Sequence, residues 1–453
     1  MRVCALRALV IGGWLMGSMG VLAESPEALL EQQVALTRRQ LEQSQEQLRE
    51  ANIRSLIYKI ELQVSTMRAF RTARPMESRR LTPEQLERLL EESLRQQYPG
   101  AALDHWVWLH RLFGTLPAEL DLVEMMKGLL GEQALGAYDP ESGDFFVGSR
   151  FPLDSVMGKM VLAHEITHAL QDQNYGFERL EMAKAGNDDR SMALLSLAEG
   201  DATLLMTEYI LREGEGLGLL LELPGTLMMD QQQLQQAPEA LQQLLLFPYL
   251  QGVAFFQALE GRTRVHPDGA PGWPGDPAWR NSVWWDPPTT TEQIIHPEKY
   301  LTGEQPESLE LTAPADWTTT SSNTLGEFGI RVLLDGRLER DVATRAAAGW
   351  DGDRVILGQR ADGGAGLIWL ARWDSAVDAE EFLEAAGTAL KAADMGEDVT
   401  WTEEEDRLVG QSERGQIMLT RPQRDAVRID IGLEREGSPG SAEPAGLGAV
   451  AQD

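Results

Sequence analysis

The chain has 453 residues and a formal net charge of −31, with 71 acidic side chains against 40 basic ones. So acidic a surface makes nucleic acid and anionic membranes poor partners. Hydrophobic content of 43% and charged content of 25% are globular values, and a single cysteine excludes a disulfide scaffold. The length allows two or three domains with ample core.

Residues 1–23 read as a secretory signal. Arg2 and Arg7 supply its charge, Ala8 to Met19 its apolar stretch, and Val21-Leu-Ala23 the small residues for cleavage after Ala23. An uncleaved anchor is the alternative. Cys4 lies inside this segment, so the mature chain has no cysteine, which suits a bacterial exported protein. No later segment reaches ~18 apolar residues, so no stable membrane span is expected after cleavage. Residues 24–79 form a helical segment. Leu29, Leu30, Val34, Leu36, Leu41 and Leu48 fall near helical spacing and predict one amphipathic helix over 24–73. That helix could pack on the core, act as a spacer, self-associate or cover a cleft as a propeptide.

A domain is expected over 80–314. Thr82, Pro83 and Glu84 make a helix start, and the helix stops at Pro99-Gly100. His105 and His110 lie among Trp106, Trp108, Leu109 and Leu112 and read as buried helix residues rather than ligands. Residues 119–133 look helical. Ala137 to Val147, punctuated by Pro140 and Gly143, predicts strand, turn and strand.

Val161-Leu-Ala-His-Glu-Ile-Thr-His-Ala-Leu-Gln-Asp172 holds the chemistry. On a helix, His164 and His168 stand one turn apart on one face and can share a tetrahedral zinc. Glu165 lies about 100° around that helix. It is placed to act as general base on a metal-activated water, not to ligate. Asp154 is the expected N-cap, and no proline interrupts 155–173. A second helix over 188–211 carries Ser196-Leu-Ala-Glu-Gly-Asp-Ala-Thr203, where Glu199 is the third ligand candidate. Gly200 costs roughly 0.8–1 kcal/mol there, which implies a close approach between the two helices. Asp201 points some 200° away from Glu199. It is read either as orienting a ligand histidine or as the partner of an N–H or Arg elsewhere. Asp172 reads as an exposed carboxylate, with a supporting role behind the ligands as the alternative.

Gln231 to Gln243 reads as an exposed, Gln-rich insertion. Phe247 to Leu259 is apolar and helical after Pro248. In it Tyr249 is either a core tyrosine or a donor to a developing oxyanion. Residues 261–282 are loop-like. Thr289 with Glu292 predicts a capping box for a short helix stopped by Pro297. His296 ends that helix, as a cap or as an electrophilic assistant at a metal. From about 315 the texture changes: helix over 323–347, strands over 354–357, 367–372, 417–420 and 426–431, and a helix over 378–393. This predicts a small α+β domain over 315–433 with an antiparallel sheet. Residues 434–453 are an expected disordered tail.

The two histidines of H-E-x-x-H with a glutamate on a later helix resemble the gluzincin zinc metallopeptidases, to which thermolysin belongs. No third histidine follows at the spacing of metzincins. More closely, the chain resembles an uncharacterised family of predicted bacterial extracytoplasmic metallopeptidases. That likeness rests on Gly136 to Gly143, Ala163 to Gln173, Glu199 to Thr203, Phe247 to Gly252 and Pro287 to Tyr300. It covers roughly residues 80–302 and brings no substrate with it. It implies a mainly helical zincin-like α+β core, in which the hairpin is either an active-site edge for a peptide or an ordinary structural hairpin.

The expectation is therefore a periplasmic or extracellular Zn2+-dependent peptidase acting on a peptide or protein substrate. Its metal ligands are His164, His168 and Glu199, with Glu165 as base, Tyr249 and His296 as assisting residues and Asp201 behind the ligands. The rival readings are a catalytically silent zinc-binding scaffold or chaperone-like envelope protein, and a zinc amidase acting on a cell-wall component.

Overall fold

A computed structural model describes residues 26–433, apart from 75, 77, 83–84, 86–87, 90, 93–97, 99–101, 134–135, 140–142, 144, 149–152, 154, 183–185, 215–230, 263–278, 394–398 and 405. The expected signal segment and the C-terminal tail lie outside the described residues. The chain divides into two compact units, one up to Leu56 and one from Ile57 onward. Helix α1 runs Pro26–Arg68. Up to Leu56 it is largely solvent-exposed, and Leu30, Val34, Leu36, Leu41 and Leu48 all face water. From Ile57 its apolar face is buried through Ile57, Ile60, Val64 and Met67.

The second unit is α+β and mainly helical. Its first strands, β1 (Ser78–Leu81), β2 (Gly136–Tyr138) and β3 (Phe145–Gly148), form a small sheet of order β1-β3-β2. The expected hairpin is β2–β3, antiparallel, and β1 adds to it in parallel. Between β1 and β2 lie α2 (Ala102–Leu112) and α3 (Leu122–Gln133). His105 and His110 of α2 are buried as the apolar pattern implied, and burial lowers His110 to about 3.

Three long helices follow: α4 (Val156–Tyr175), α5 (Asp188–Arg212) and α6 (Glu239–Leu259). The cap of α4 is Ser155, one residue later than expected, and its side chain accepts from Gly158 N. Asn187 caps α5 in the same way. Helix α6 begins well before Pro248, which sits inside it, buried. A proline leaves one helical hydrogen bond unmade, and the packing of both flanking turns holds the helix together there. The Gln-rich stretch is not simply an exposed insertion. Leu234, Ala237, Leu241, Leu244 and Leu245 join a small core with Leu116, Leu122 and Leu129. Glutamines there alternate with apolar positions at helical spacing, so one face is buried.

Short helices α7 (Trp279–Trp285), α8 (Thr291–Ile295) and α9 (Pro297–Thr302) lead into the C-terminal region. The cap of α8 is Thr290, accepting from Gln293 N, while Gln293 reaches back to Thr289 N. Glu292 is instead held by Lys299 at 2.7 Å. The expected capping box is thus shifted by one residue.

Strand β4 (Thr318–Asn323) precedes α10 (Gly326–Asp335) and α11 (Arg340–Ala347), two helices where one was expected. Then come β5 (Trp350–Gln359), β6 (Ala365–Trp373), α12 (Ala376–Lys391), β7 (Thr400–Glu404), β8 (Arg407–Ser412), β9 (Gly415–Gln423) and β10 (Ala426–Leu433). They build a seven-stranded antiparallel sheet of order β4-β5-β6-β10-β9-β8-β7. The four expected strands lie within β5, β6, β9 and β10. The edge strands β4 and β7 carry Thr, Ser and Glu, and β8, between β7 and β9, has only Leu408 and Val409 in sequence, so none shows a long apolar run. The sheet's core also takes Leu109 and Leu112 from α2 and Phe113 just after it, so residues 315–433 do not close it alone.

Asp353 of β5 fastens sheet to helix. Its buried carboxylate accepts from Leu325 N, Gly326 N, Trp350 Nε1 and Trp369 Nε1 at 3.0 to 3.2 Å. Next to it, Asp189 of α5 accepts from Thr291 N at 2.8 Å and from the Thr291 hydroxyl. Burial pushes Asp189 up to about 7.

Asp353→Ala would orphan four buried N–H groups at roughly 1–3 kcal/mol each before relaxation, so a loss of at least ~3 kcal/mol is expected in urea unfolding. For Asp189 the folded pKa exceeds the unfolded one near 3.9. Its contribution is therefore fully present below pH ~4 and is lost as pH rises through about 7. Asp189→Asn keeps an acceptor for Thr291, and the fall of stability between pH ~4 and about 7 should become shallower by up to one proton in denaturation curves.

Candidate metal centre

The site forms where α4 and α5 pack side by side. Both helices bury small and branched residues, among them Ala163, Ile166 and Thr167 on α4 and Ala198 and Ala202 on α5. His164 and His168 project from α4 on one face, as the four-residue spacing requires. Their Nε2 atoms are 3.1 Å apart. Glu199 of α5 meets both, with Oε2 at 3.0 Å from His164 Nε2 and 3.4 Å from His168 Nε2. All three side chains are 12% exposed. The donor atoms of this group fall within 4.8 Å of one another. The expected triad is therefore brought together.

Glu199 and the two histidines stabilise each other's charges. Burial works against a charge on Glu199, yet His168 and His164 outweigh it and hold the carboxyl well below the usual range. Burial likewise opposes a charge on His168, and Glu199 overrides it, raising the ring to about 9. Two imidazoles and a carboxylate turned on one point are the N and O donor set that zinc takes.

Glu165 turns aside from this point. Burial raises its carboxyl, opposed by the two histidines, and the backbone N–H of Tyr138 donates to it. The outer edge of β2 therefore lies directly against Glu165. Asp172 holds β2 to α4: its Oδ2 accepts from the Tyr138 hydroxyl at 2.6 Å and its Oδ1 from Phe177 N at 2.8 Å. It is half-buried, not the exposed carboxylate that was expected.

Tyr249 of α6 reaches the site from the other side. Its ring lies parallel to that of His164 at 6.1 Å. The ring is 40% exposed while the hydroxyl turns inward to hydrogen-bond Glu199. Burial first, then Glu199 and Glu165, raise the phenol well above its usual pKa. Tyr249 is thus not a core tyrosine. What brings it there is the contact between Gly200 and Gly252. A Cβ on Gly200 would lie 2.3 Å from Gly252 C, and one on Gly252 would lie 2.1 Å from Ser196 O. Gly200 does mark a close helix approach, as expected, but the partner is α6 rather than α4.

Asp201 takes no part in the triad. It is fully buried and accepts Arg68 in a two-pronged pair, Nε to Oδ1 and Nη2 to Oδ2, both at 2.8 Å. Arg280 Nη1 is 3.2 Å away, Trp284 Nε1 donates at 3.0 Å, and Gln171 Nε2 at 3.3 Å. Burial opposes the charge, but Arg68 and Arg280 hold the carboxyl below its usual range. Of the two readings, the arginine partner is the direct one, and the ligand histidine is reached only through Gln171. Arg68, Gln171, Gly252 and Arg280 were not singled out in the sequence. Only Gln171 carries a local signal, three residues after His168 on the same helix.

His296 is not at the site. Its Nε2 lies 3.1 Å from Glu327 Oε1, and Glu327 raises its pKa. The reason is that Thr291 docks α8 onto Asp189 near the start of α5, ten residues before Glu199, or ~15 Å along the axis. Among the described residues a second carboxylate group, Glu292, Glu304 and Asp374, converges in the same way. There Lys299 Nζ fills the centre, at 2.6 to 2.7 Å from all three.

A family model described as a domain of unknown function (DUF8575) matches residues 315–433. No curated protein and no solved structure matches the chain.

The helix contact gives a direct test. Gly252→Ala should cost about 1–3 kcal/mol as an overpacked helix crossing. Gly387→Ala, whose Cβ would meet Leu408 and Leu419 at an ordinary 3.4 to 3.5 Å, should be neutral or stabilising. Chemical denaturation of the two variants side by side checks this.

Proposed function

We propose that the protein is a zinc-dependent peptidase of the gluzincin type, exported by its N-terminal signal to the periplasm or beyond the cell. The observation that carries this is the convergence of His164, His168 and Glu199 on one point, with Glu165 beside it. Those three residues would hold the ion, each offering one atom, with Glu165 and Tyr249 beside them. When bound, zinc supplies Lewis acidity to a carbonyl and to water.

The chain's own residues do the rest. Glu165, raised by burial, can take a proton from water and return it to a leaving amine. The Tyr138 amide keeps that carboxylate in one orientation. Tyr249 keeps its proton, because its pKa is raised, and its hydroxyl can turn from Glu199 to an anionic oxygen of the substrate. The outer edge of β2 offers backbone groups beside Glu165 to which an extended peptide can add as a strand. In this reading the zincin-like core is α4 and α5 with the small sheet. Among the described residues no helix is long and apolar enough to cross a membrane.

The test uses the chain from residue 24, as wild type and Glu165→Gln, with zinc content and hydrolysis of casein, mixed peptides and muropeptides. Stoichiometric zinc in both and peptide hydrolysis only in wild type is expected, with kcat/KM of the variant down at least ~100-fold. Absence of stoichiometric zinc, or full activity in Glu165→Gln, would sink the proposal. Cleavage confined to muropeptides would move the substrate to the cell wall. A second expectation concerns Tyr249→Phe: kcat should fall ~10-fold or more with zinc content unchanged.

A further inference from the structure

Gln171 is fully buried on the face of α4 that carries His168. Its Nε2 lies 3.1 Å from Ala198 O and 3.3 Å from Asp201 Oδ2. A backbone carbonyl can only accept, and Asp201, clamped by Arg68 and Arg280, is an ionised carboxylate that can only accept. The amide nitrogen therefore belongs on the α5 side. This fixes the orientation of the side chain and puts Oε1 at 2.9 Å from His168 Nδ1. A carbonyl oxygen cannot donate, so His168 Nδ1 carries a proton. Once the ring's other proton is off, the lone pair offered to a metal is on Nε2, the atom that faces His164 Nε2 at 3.1 Å and Glu199 Oε2 at 3.4 Å.

We infer that Gln171 is a positioning residue, which fixes His168 as its Nδ1–H form so that Nε2 ligates, and that Asp201 with Arg68, Arg280 and Trp284 fixes Gln171. The inference rests on His164, His168 and Glu199 being metal ligands. The relay holds one ligand and not both: His164 Nδ1 is buried and has no hydrogen-bond partner among the described residues. It also ties the ligand to the last residue of α1, since Arg68 is 0% exposed against Asp201.

The experiment uses the chain from residue 24 loaded with Zn2+, with 15N-labelled histidine, in wild type and Gln171→Met. Methionine matches the length and is apolar, so it removes both the acceptor and the donors. In wild type, His168 should coordinate through Nε2 and show a slowly exchanging Nδ1 proton. In Gln171→Met that proton should exchange fast, and chelator competition should give a zinc Kd raised 10- to 100-fold. Wild type binding zinc with Gln171→Met within twofold of it would overturn the positioning role and leave the metal site standing. Wild type binding no zinc would overturn the metal reading and this inference with it. Should Gln171→Met not fold, the wild-type spectrum decides: a proton on His168 Nε2, or coordination through Nδ1, overturns the inference.

Discussion

The buried charge of Asp201 is what the helical half of the molecule is built around. A carboxylate with no access to water must be matched by donors or it is expelled. Here the match comes from three separate places in the chain: Arg68 at the end of α1, Gln171 on α4, and Arg280 with Trp284 on α7. Removing any one charged partner leaves the rest uncompensated, which costs about 3–5 kcal/mol in comparable buried pairs. The pairs therefore fix register among helices that apolar packing alone would let slide. They do so one residue from Gly200 and two from Glu199, where small displacements matter most.

Helix α5 carries this constraint along its length. At its start Asp189 takes Thr291 and sits close to Asp353, so the C-terminal sheet is tied to it. In its middle Glu199 faces α4, Gly200 touches α6 and Asp201 faces the arginines. Three successive residues on a helix point about 100° apart, and here each direction meets a different neighbour. The same geometry that lets Glu199 join the histidines prevents Asp201 from joining them. The site's chemistry and its scaffold are thereby read off adjacent residues.

The histidine pair, Glu165 and Glu199 were legible because helical periodicity converts a spacing into a face. So were the long helices, the four apolar strands β5, β6, β9 and β10, and the buried state of His105 and His110, all of which announce themselves by apolar pattern. Tyr249 was legible only as one of two roles, because a tyrosine in an apolar helix looks the same in a core and at a cleft. The misplacement of His296 has a similar source. A histidine before Pro297 says that a short helix ends there, and nothing local says onto which part of α5 that helix docks. The edge strands β4 and β7 escaped for want of an apolar run, and β8 beside β7 offers only Leu408 and Val409 before Gly410. Each one-residue error in a cap, Asp154 for Ser155 and Thr289 for Thr290, arose where neighbouring residues had equal capping ability and only the path of the chain chose between them.

The sequence by itself determined the local chemistry: which residues share a helix face, which carry donor atoms, and where glycine must admit a neighbour. Tertiary structure alone decided which neighbour that was. It set Gly252 against Gly200, drew Arg68 and Arg280 onto Asp201 across 133 residues in one case, and placed Gln171 between a buried carboxylate and a histidine. These are contacts between side chains far apart in the chain. Their partners are selected by the packing of whole helices, which no spacing within a single segment encodes.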